Sequence, residues 1–275
     1  MQILKQTKDW IAVNKALGRT PLECIKDLKK KLPELADKKM AYAGRLDPMA
    51  SGVLLILIDD ACKERGKYLE LDKEYILEVL MGVQSDTQDI LGVVSSGNLQ
   101  KLEEYSQKTL DQALQTIIKG FEGKHELEYP IFSSKTVEGK PLFLWALEGR
   151  LDEITIPKKA VEIYDIAIEG YQTYNMGDIV EEVKKRIAQV SHVQEASKAL
   201  GADFRRNEVL DSWKQLQEDI GIDRKLISVT VRARVSSGTY MRTLARLIGE
   251  KLGTQALAWR IHRQSIEPYI TLADK

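Results

Sequence analysis

One carboxylate stands out by its setting. The segment Gly44-Arg45-Leu46-Asp47-Pro48-Met49-Ala50-Ser51-Gly52 puts Asp47 in a loop punctuated by glycine and proline, directly before the apolar run Val53 to Ile58. The run reads as a buried strand, so Asp47 stands at its entrance. Gly44 and Gly52 permit close approach or unusual backbone angles, and Pro48 fixes φ directly after the acid. Such a segment can hold a carboxylate in place for reaction, although the same residue types also suit an Asx cap on the next element. A reacting carboxylate must stay ionised in a desolvated pocket, where burial alone would neutralise it, so it requires a cation beside it.

Other chemistries find little support. Cys24 and Cys62 lie far apart without CxxC spacing, and His125, His192 and His262 are dispersed, so neither a disulfide framework nor a metal site is expected, and no cofactor is implied. Lys+Arg and Asp+Glu both total 41 in 275 residues, which leaves net charge silent about a nucleic-acid partner. Distribution says more. From Arg224 to Arg263 there are nine Lys/Arg and one acid, Glu250, a candidate phosphate-contacting surface or, alternatively, a solvated basic face. The N-terminus lacks a signal-peptide apolar core and no apolar run could span a bilayer, so a cytoplasmic protein without membrane contact is expected.

The elements that must position Asp47 can be read from pattern. Ile11 to Val13 reads as a short strand. Thr20, Pro21 and Glu23 supply an N-cap, a first-turn proline and a capping box for a helix running to about Lys31. Tyr75 to Met81 reads as a strand, Gly82 to Gly92 as a polar loop, and Leu110 to Ile118 as a helix. Val161 to Ile168 and Leu226 to Val235 alternate with period two, and Arg242 to Leu252 is amphipathic at helical spacing. Separate strands with irregularly placed helices predict an α+β fold with a mixed, largely antiparallel central sheet and flanking helices. Residues 177–222 are charge-dense with helical periodicity and predict a two- or three-helix insertion, either an RNA contact or a hairpin packed on the core.

Gly44 to Leu54 closely resembles the G-x-L-D-P-x-A-x-G-x-L signature of the TruB-type tRNA pseudouridine synthases. Three further segments follow in that family's order: Lys73-Glu74-Tyr75 with Gly82 and Ser85-Asp86-Thr87-Gln88-Asp89; Tyr129-Pro130-Ile131-Phe132-Ser133-Ser134-Lys135 with Gly139 to Leu142; and Ser236-Ser237-Gly238-Thr239-Tyr240-Met241-Arg242-Thr243-Leu244. The resemblance covers roughly Trp10 to Tyr269.

It implies isomerisation of a uridine to pseudouridine, most naturally in the T-loop of tRNA. The N1–C1′ bond breaks, the uracil rotates, and C5 joins C1′, without redox chemistry, metal or cofactor. Asp47 would be the essential carboxylate, attacking the sugar or removing the C2′ proton, and Arg242 its partner in a forked ion pair. Tyr75 would stack on the extruded uracil and Tyr240 would face the same pocket if residues 240–242 are extended. Arg45, Lys15 and Lys135 are implied as substrate-side or structural contacts at their motif positions. Two departures stand out. Tyr42 replaces a histidine that relatives carry five residues before the Asp, which predicts retained stacking without the titratable nitrogens. Relatives also commonly end in a PUA domain, whereas one catalytic domain over 1–275 without a PUA domain is expected here, acting as a monomer with no guide RNA or obligatory protein partner. An RNA-binding or tRNA-folding protein is the alternative from another class. A glycoside hydrolase would want a second acid, for which Asp86 and Asp89 are the available residues.

Overall fold

The computed structural model describes residues 1–191 and 203–272. Its strands are β1 (Gln2–Gln6), β2 (Trp10–Lys15), β3 (Met40–Ala43), β4 (Ala50–Ile58), β5 (Lys73–Met81), β6 (Val83–Ser85), β7 (Val94–Ser96), β8 (Gly123–Glu128), β9 (Thr136–Val137), β10 (Lys140–Pro141), β11 (Lys158–Asn175), β12 (Lys225–Val235), β13 (Ala256–Ile266) and β14 (Ile270–Thr271). Ten of these form one sheet in the order β1-β2-β4-β13-β5-β12-β11-β8, with β3 also on β4 and β14 also on β13. Among the described strands of this sheet, only β4 and β13 pair in parallel; the other neighbours are antiparallel, in keeping with the α+β expectation.

Helices cover both faces: α1 (Pro21–Lys31), α2 (Arg65–Leu69), α3 (Leu99–Glu103), α4 (Gln107–Lys119), α5 (Leu142–Leu147), α6 (Met176–Gln189), α7 (Arg206–Ile220) and α8 (Met241–Leu252). The α1 start follows its sequence signature. Thr20 Oγ1 accepts from the Glu23 amide at 3.3 Å, and Glu23 Oε2 accepts from the Thr20 amide at 2.6 Å. A cap of this kind is worth about 1 kcal/mol.

Alternation along the central strands divides the core. Leu77, Val79 and Met81 of β5 join Val229, Val231 and Ala233 of β12 beneath α4 and α8. Leu80, Leu226, Leu257 and Trp259 face the other way and meet α6 and α7, where Trp213 is fully buried with its ring centroid 6.5 Å from that of Trp259. The expected insertion is therefore, over its described part, a pair of helices completing the second core. Of that segment, 192–202 lie outside the described residues, and His192 with them.

The polar stretch 82–92 contains a strand that the sequence did not suggest. β6 pairs with β7, and the Asp89 position bridges to Ala258. One glycine of the Asp47 segment explains itself here. Gly52 has φ +108°, and a Cβ would lie 2.2 Å from the Arg263 carbonyl oxygen of β13, so the parallel β4–β13 contact leaves no room for a side chain.

Candidate active site

The loop before β4 is pinned at several points. Leu46 and Met49 are buried on either side of Asp47, Ala50 N–H donates to the Asp47 carbonyl at 3.0 Å, and Gly18 N–H donates to the Pro48 carbonyl at 2.8 Å. The acid between these anchors turns into a cleft of about 800 Å³. Its carboxylate does not cap β4. Asp47 Oδ2 accepts instead from Nε of Arg242, at 2.8 Å and 195 positions further along the chain.

Arg242 reaches this point from the first turn of α8. Ser237 and Gly238 turn the chain, with Gly238 at φ +87°, and Tyr240 caps the helix in extended backbone. Residues 240–242 are thus not one extended segment, as period-two reasoning supposed, yet both side chains line the cleft. The pairing with Asp47 is also not forked. Nη1 of Arg242 donates to the Thr87 carbonyl at 2.7 Å and Nη2 to the Phe132 carbonyl at 3.3 Å, while Asp89 Oδ2 lies 3.8 Å from Nε. Three chain segments, around Asp47, Thr87–Asp89 and Phe132, therefore fix one buried guanidinium.

The electrostatics follow from burial. Desolvation opposes the Arg242 charge, but Asp47 and Asp89 outweigh it and raise its pKa above the ordinary value. Burial pushes the Asp89 carboxyl up, against the pull of Arg242 and of the Thr87 hydroxyl, which donates to it at 2.7 Å. The Tyr240 hydroxyl is pushed up to about 12, first by burial and then by Asp47, so it is a neutral donor at physiological pH. Its ring meets Tyr129 edge-on at 5.5 Å. Tyr75 lines the cleft from β5, where the register sets it beside Arg263 of β13.

Not every residue named from sequence comes to the cleft. Arg45, exposed, and Lys135, with Nζ 5.2 Å from the Tyr129 ring centroid, do line it. Lys15 does not: it is fully buried, donating to the Arg19 carbonyl at 2.7 Å and to the Ala16 carbonyl at 3.2 Å, and burial lowers its pKa to about 8. It braces the loop behind Asp47 and touches no substrate space. Tyr42 is likewise absent from the lining, because β3 turns its ring onto the apolar cluster of Ile11, Leu54 and Ile56. Arg65, which does line the cleft, stacks over that ring at 5.4 Å and donates to the Tyr42 carbonyl.

Most cations of the basic block have acidic partners. Arg224 pairs with Glu103, Arg232 with Glu74, Asp165 and Glu169, Arg234 with Glu267, Arg246 with Glu250, and Arg260 with Glu78 and Glu182. Glu250 comes from within the block and the other acids from elsewhere in the chain. Arg242 and Arg263 of the block line the cleft, joined there by Arg45, Arg65, Lys73, Lys135, Lys159 and Arg205 from other segments.

Several lining groups had no sequence signal as such. The Thr87 and Phe132 carbonyls are backbone atoms that any residue would offer, and Phe204 and Arg205 arrive from the helical insertion. Asp89 was legible as an acid in a motif, although it shares Arg242 with Asp47 instead of standing opposite it across a scissile bond. Among the described residues, no cluster of His, Cys, Asp and Glu is placed to hold a metal, and no helix is long and apolar enough to cross a membrane.

The mostly antiparallel sheet with its flanking helices has a counterpart among solved structures. The "Crystal Structure of a Cbf5-Nop10-Gar1 Complex" matches 95% of this chain and 49% of that chain at a TM-score of 0.51 and 18% identity, which establishes a shared fold. The more particular assignment comes from sequence. Residues 30–186 match the model of the TruB family pseudouridylate synthase N-terminal domain, and the chain belongs to this family. It is 29% identical to tRNA pseudouridine synthase B of Caldicellulosiruptor saccharolyticus over 70% of this chain and 67% of that protein. The namesake from Thermotoga maritima is 26% identical over 93% of this chain and 62% of that protein. The alignments span about three fifths to two thirds of these relatives' lengths.

Proposed function

We propose that this chain isomerises a uridine of tRNA, in the T-loop, to pseudouridine. The observation that carries the reading is Asp47, fixed by Arg242 at 2.8 Å and facing a cleft that also holds Tyr75 and Tyr240. An extruded uridine brings C1′ and C2′ to Asp47, which attacks the sugar or takes the C2′ proton; Arg242 holds that carboxylate in place through its Nε. Tyr75 offers an aromatic face to the uracil, worth about 1–3 kcal/mol toward the few kcal/mol of unstacking. The neutral Tyr240 hydroxyl donates to polar atoms of the base or sugar. Arg45 and Lys135 at the cleft supply positive charge for the phosphates that flank the flipped nucleotide. The reading needs no metal, cofactor, guide RNA or partner protein, and it places the enzyme with its tRNA substrate in the cytoplasm as a monomeric catalytic unit.

The test is tritium release from tRNA transcript labelled at uracil C5, with the product mapped. Wild type should release tritium at a T-loop uridine, and Asp47→Asn should lower the rate by more than roughly a thousandfold, as loss of a nucleophile or base does. Tight, salt-sensitive tRNA binding without release would favour a tRNA-folding role over catalysis.

A further inference from the structure

We propose that Arg205, carried in by the helical insertion, is a positioning residue for the Asp47–Arg242 pair. The proposal rests on the functional reading above. Arg242 takes its orientation from two carbonyls, those of Thr87 and Phe132, and both sit in loops, outside any strand or helix. The Gln88 carbonyl accepts from Ala258 N–H at 2.9 Å and the Ser133 carbonyl from Phe143 N–H at 3.1 Å, but neither bond ties one loop to the other. Arg205 grips both. Its Nη1 donates to Asp86 Oδ2 at 2.6 Å and its Nη2 to Asp86 Oδ1 at 3.0 Å, a fork on the residue next to Thr87. The same guanidinium lies 4.6 Å from the Phe132 ring centroid.

One arginine therefore fastens the two loops whose carbonyls fasten the other. The fork and the stacked ring use the planarity of the guanidinium, which a lysine ammonium lacks. Shielding favours the contact, for the Arg205 side chain is only 16% exposed. The backbone is committed to it as well. Phe204 and Arg205 both adopt left-handed angles, φ 56° and 52°, a conformation that costs a non-glycine residue about 1–2 kcal/mol and persists where surrounding contacts hold it. Phe204 lines the cleft beside Arg205, so the insertion also forms part of the cleft wall.

The experiment uses the full chain and compares Arg205→Ala, Arg205→Lys, Asp86→Ala and the Arg205→Ala/Asp86→Ala double variant, each checked for folding by circular dichroism. Single-turnover pseudouridine formation should fall on the order of 10- to 100-fold in Arg205→Ala, the scale of a small misplacement of catalytic groups, while tRNA affinity changes less than about twofold. Arg205→Lys should recover only part of the rate. The double variant should be no slower than the slower single one, because both remove the same pair. A loss confined to tRNA affinity, or additive losses, would make Arg205 a phosphate contact and overturn the proposal.

An activity-independent readout accompanies these rates. In arginine-labelled protein the Arg242 Nε–H resonance, assigned by its absence in Arg242→Lys, should exchange with solvent roughly tenfold faster in Arg205→Ala. Unchanged exchange would refute the clamp even if the rate fell. Should wild type modify no tRNA, the functional reading would fail, and exchange alone would still decide whether Arg205 holds the pair.

Discussion

Arg242 and Arg232 come from the same basic stretch and differ in what their charges do. Arg232 has more acidic company: Asp165 at 3.0 Å, Glu74 at 3.3 Å and Glu169 at 3.5 Å. Its side chain is 35% exposed, so water and salt screen every one of those pairs. Arg242 has Asp47 at 2.8 Å and Asp89 at 3.8 Å, but it is 5% exposed and every N–H direction with a named partner ends on a fixed oxygen. The number of acids around a cation therefore says little about its importance. What counts is whether water can reach the cation itself, and of these two it reaches Arg232 and not Arg242.

The sharpest way to break this contrast is to remove each charge in turn. Arg242→Gln strands two carboxylates, one of them buried, and should cost about 3–5 kcal/mol in urea unfolding, along with the activity. A cost below about 1 kcal/mol would mean that water reaches the pair. A buried cation without a tight acid partner gives an intermediate case. Lys73 donates to the Leu69 carbonyl at 2.9 Å and to that of Leu71, and burial, then Arg263, lowers its pKa to about 8. Between pH 8 and 10.5 the unfolded chain therefore holds a proton that the folded chain has released, and stability rises with pH across that window. Unfolding of Lys73→Met should lose up to about 1.4 kcal/mol per pH unit of that slope relative to wild type. The smallest effect belongs to Arg232→Gln, expected at about 0–1 kcal/mol and shrinking as salt is raised, whereas the Arg242→Gln cost should barely respond.

The same distinction explains what could be read from the chain. Periodicity and capping chemistry are local, so α1 with its Thr20–Glu23 box, β4 and the alternation of β12 were legible. Asp47, Arg242, Tyr75 and Tyr240 were legible through their motifs and do meet at one cleft. Lys15 and Tyr42 stood in motif positions just as plainly, but their directions are set by packing behind the loop and under Arg65, which spacing does not encode. The pairing of the basic block was hidden for a related reason. Composition counts charges, whereas Glu74, Glu78, Glu103 and Glu267 answer them from segments far away in sequence.

Strand order also sets a schedule. β13 is laid down late, yet it is the seam of the sheet, pairing β4 on one side and β5 on the other. Until Ala256–Ile266 has been made, β1 to β4 and the group of β5, β12, β11 and β8 have no strand to join them. Contacts this distant in sequence are the slowest to form. A growing chain leaving the ribosome thus carries Asp47 for more than two hundred residues, at about 5–20 residues per second, before its partner site can close around it. The frame around Asp47 and Arg242 is completed in a single late step, when the seam is sewn.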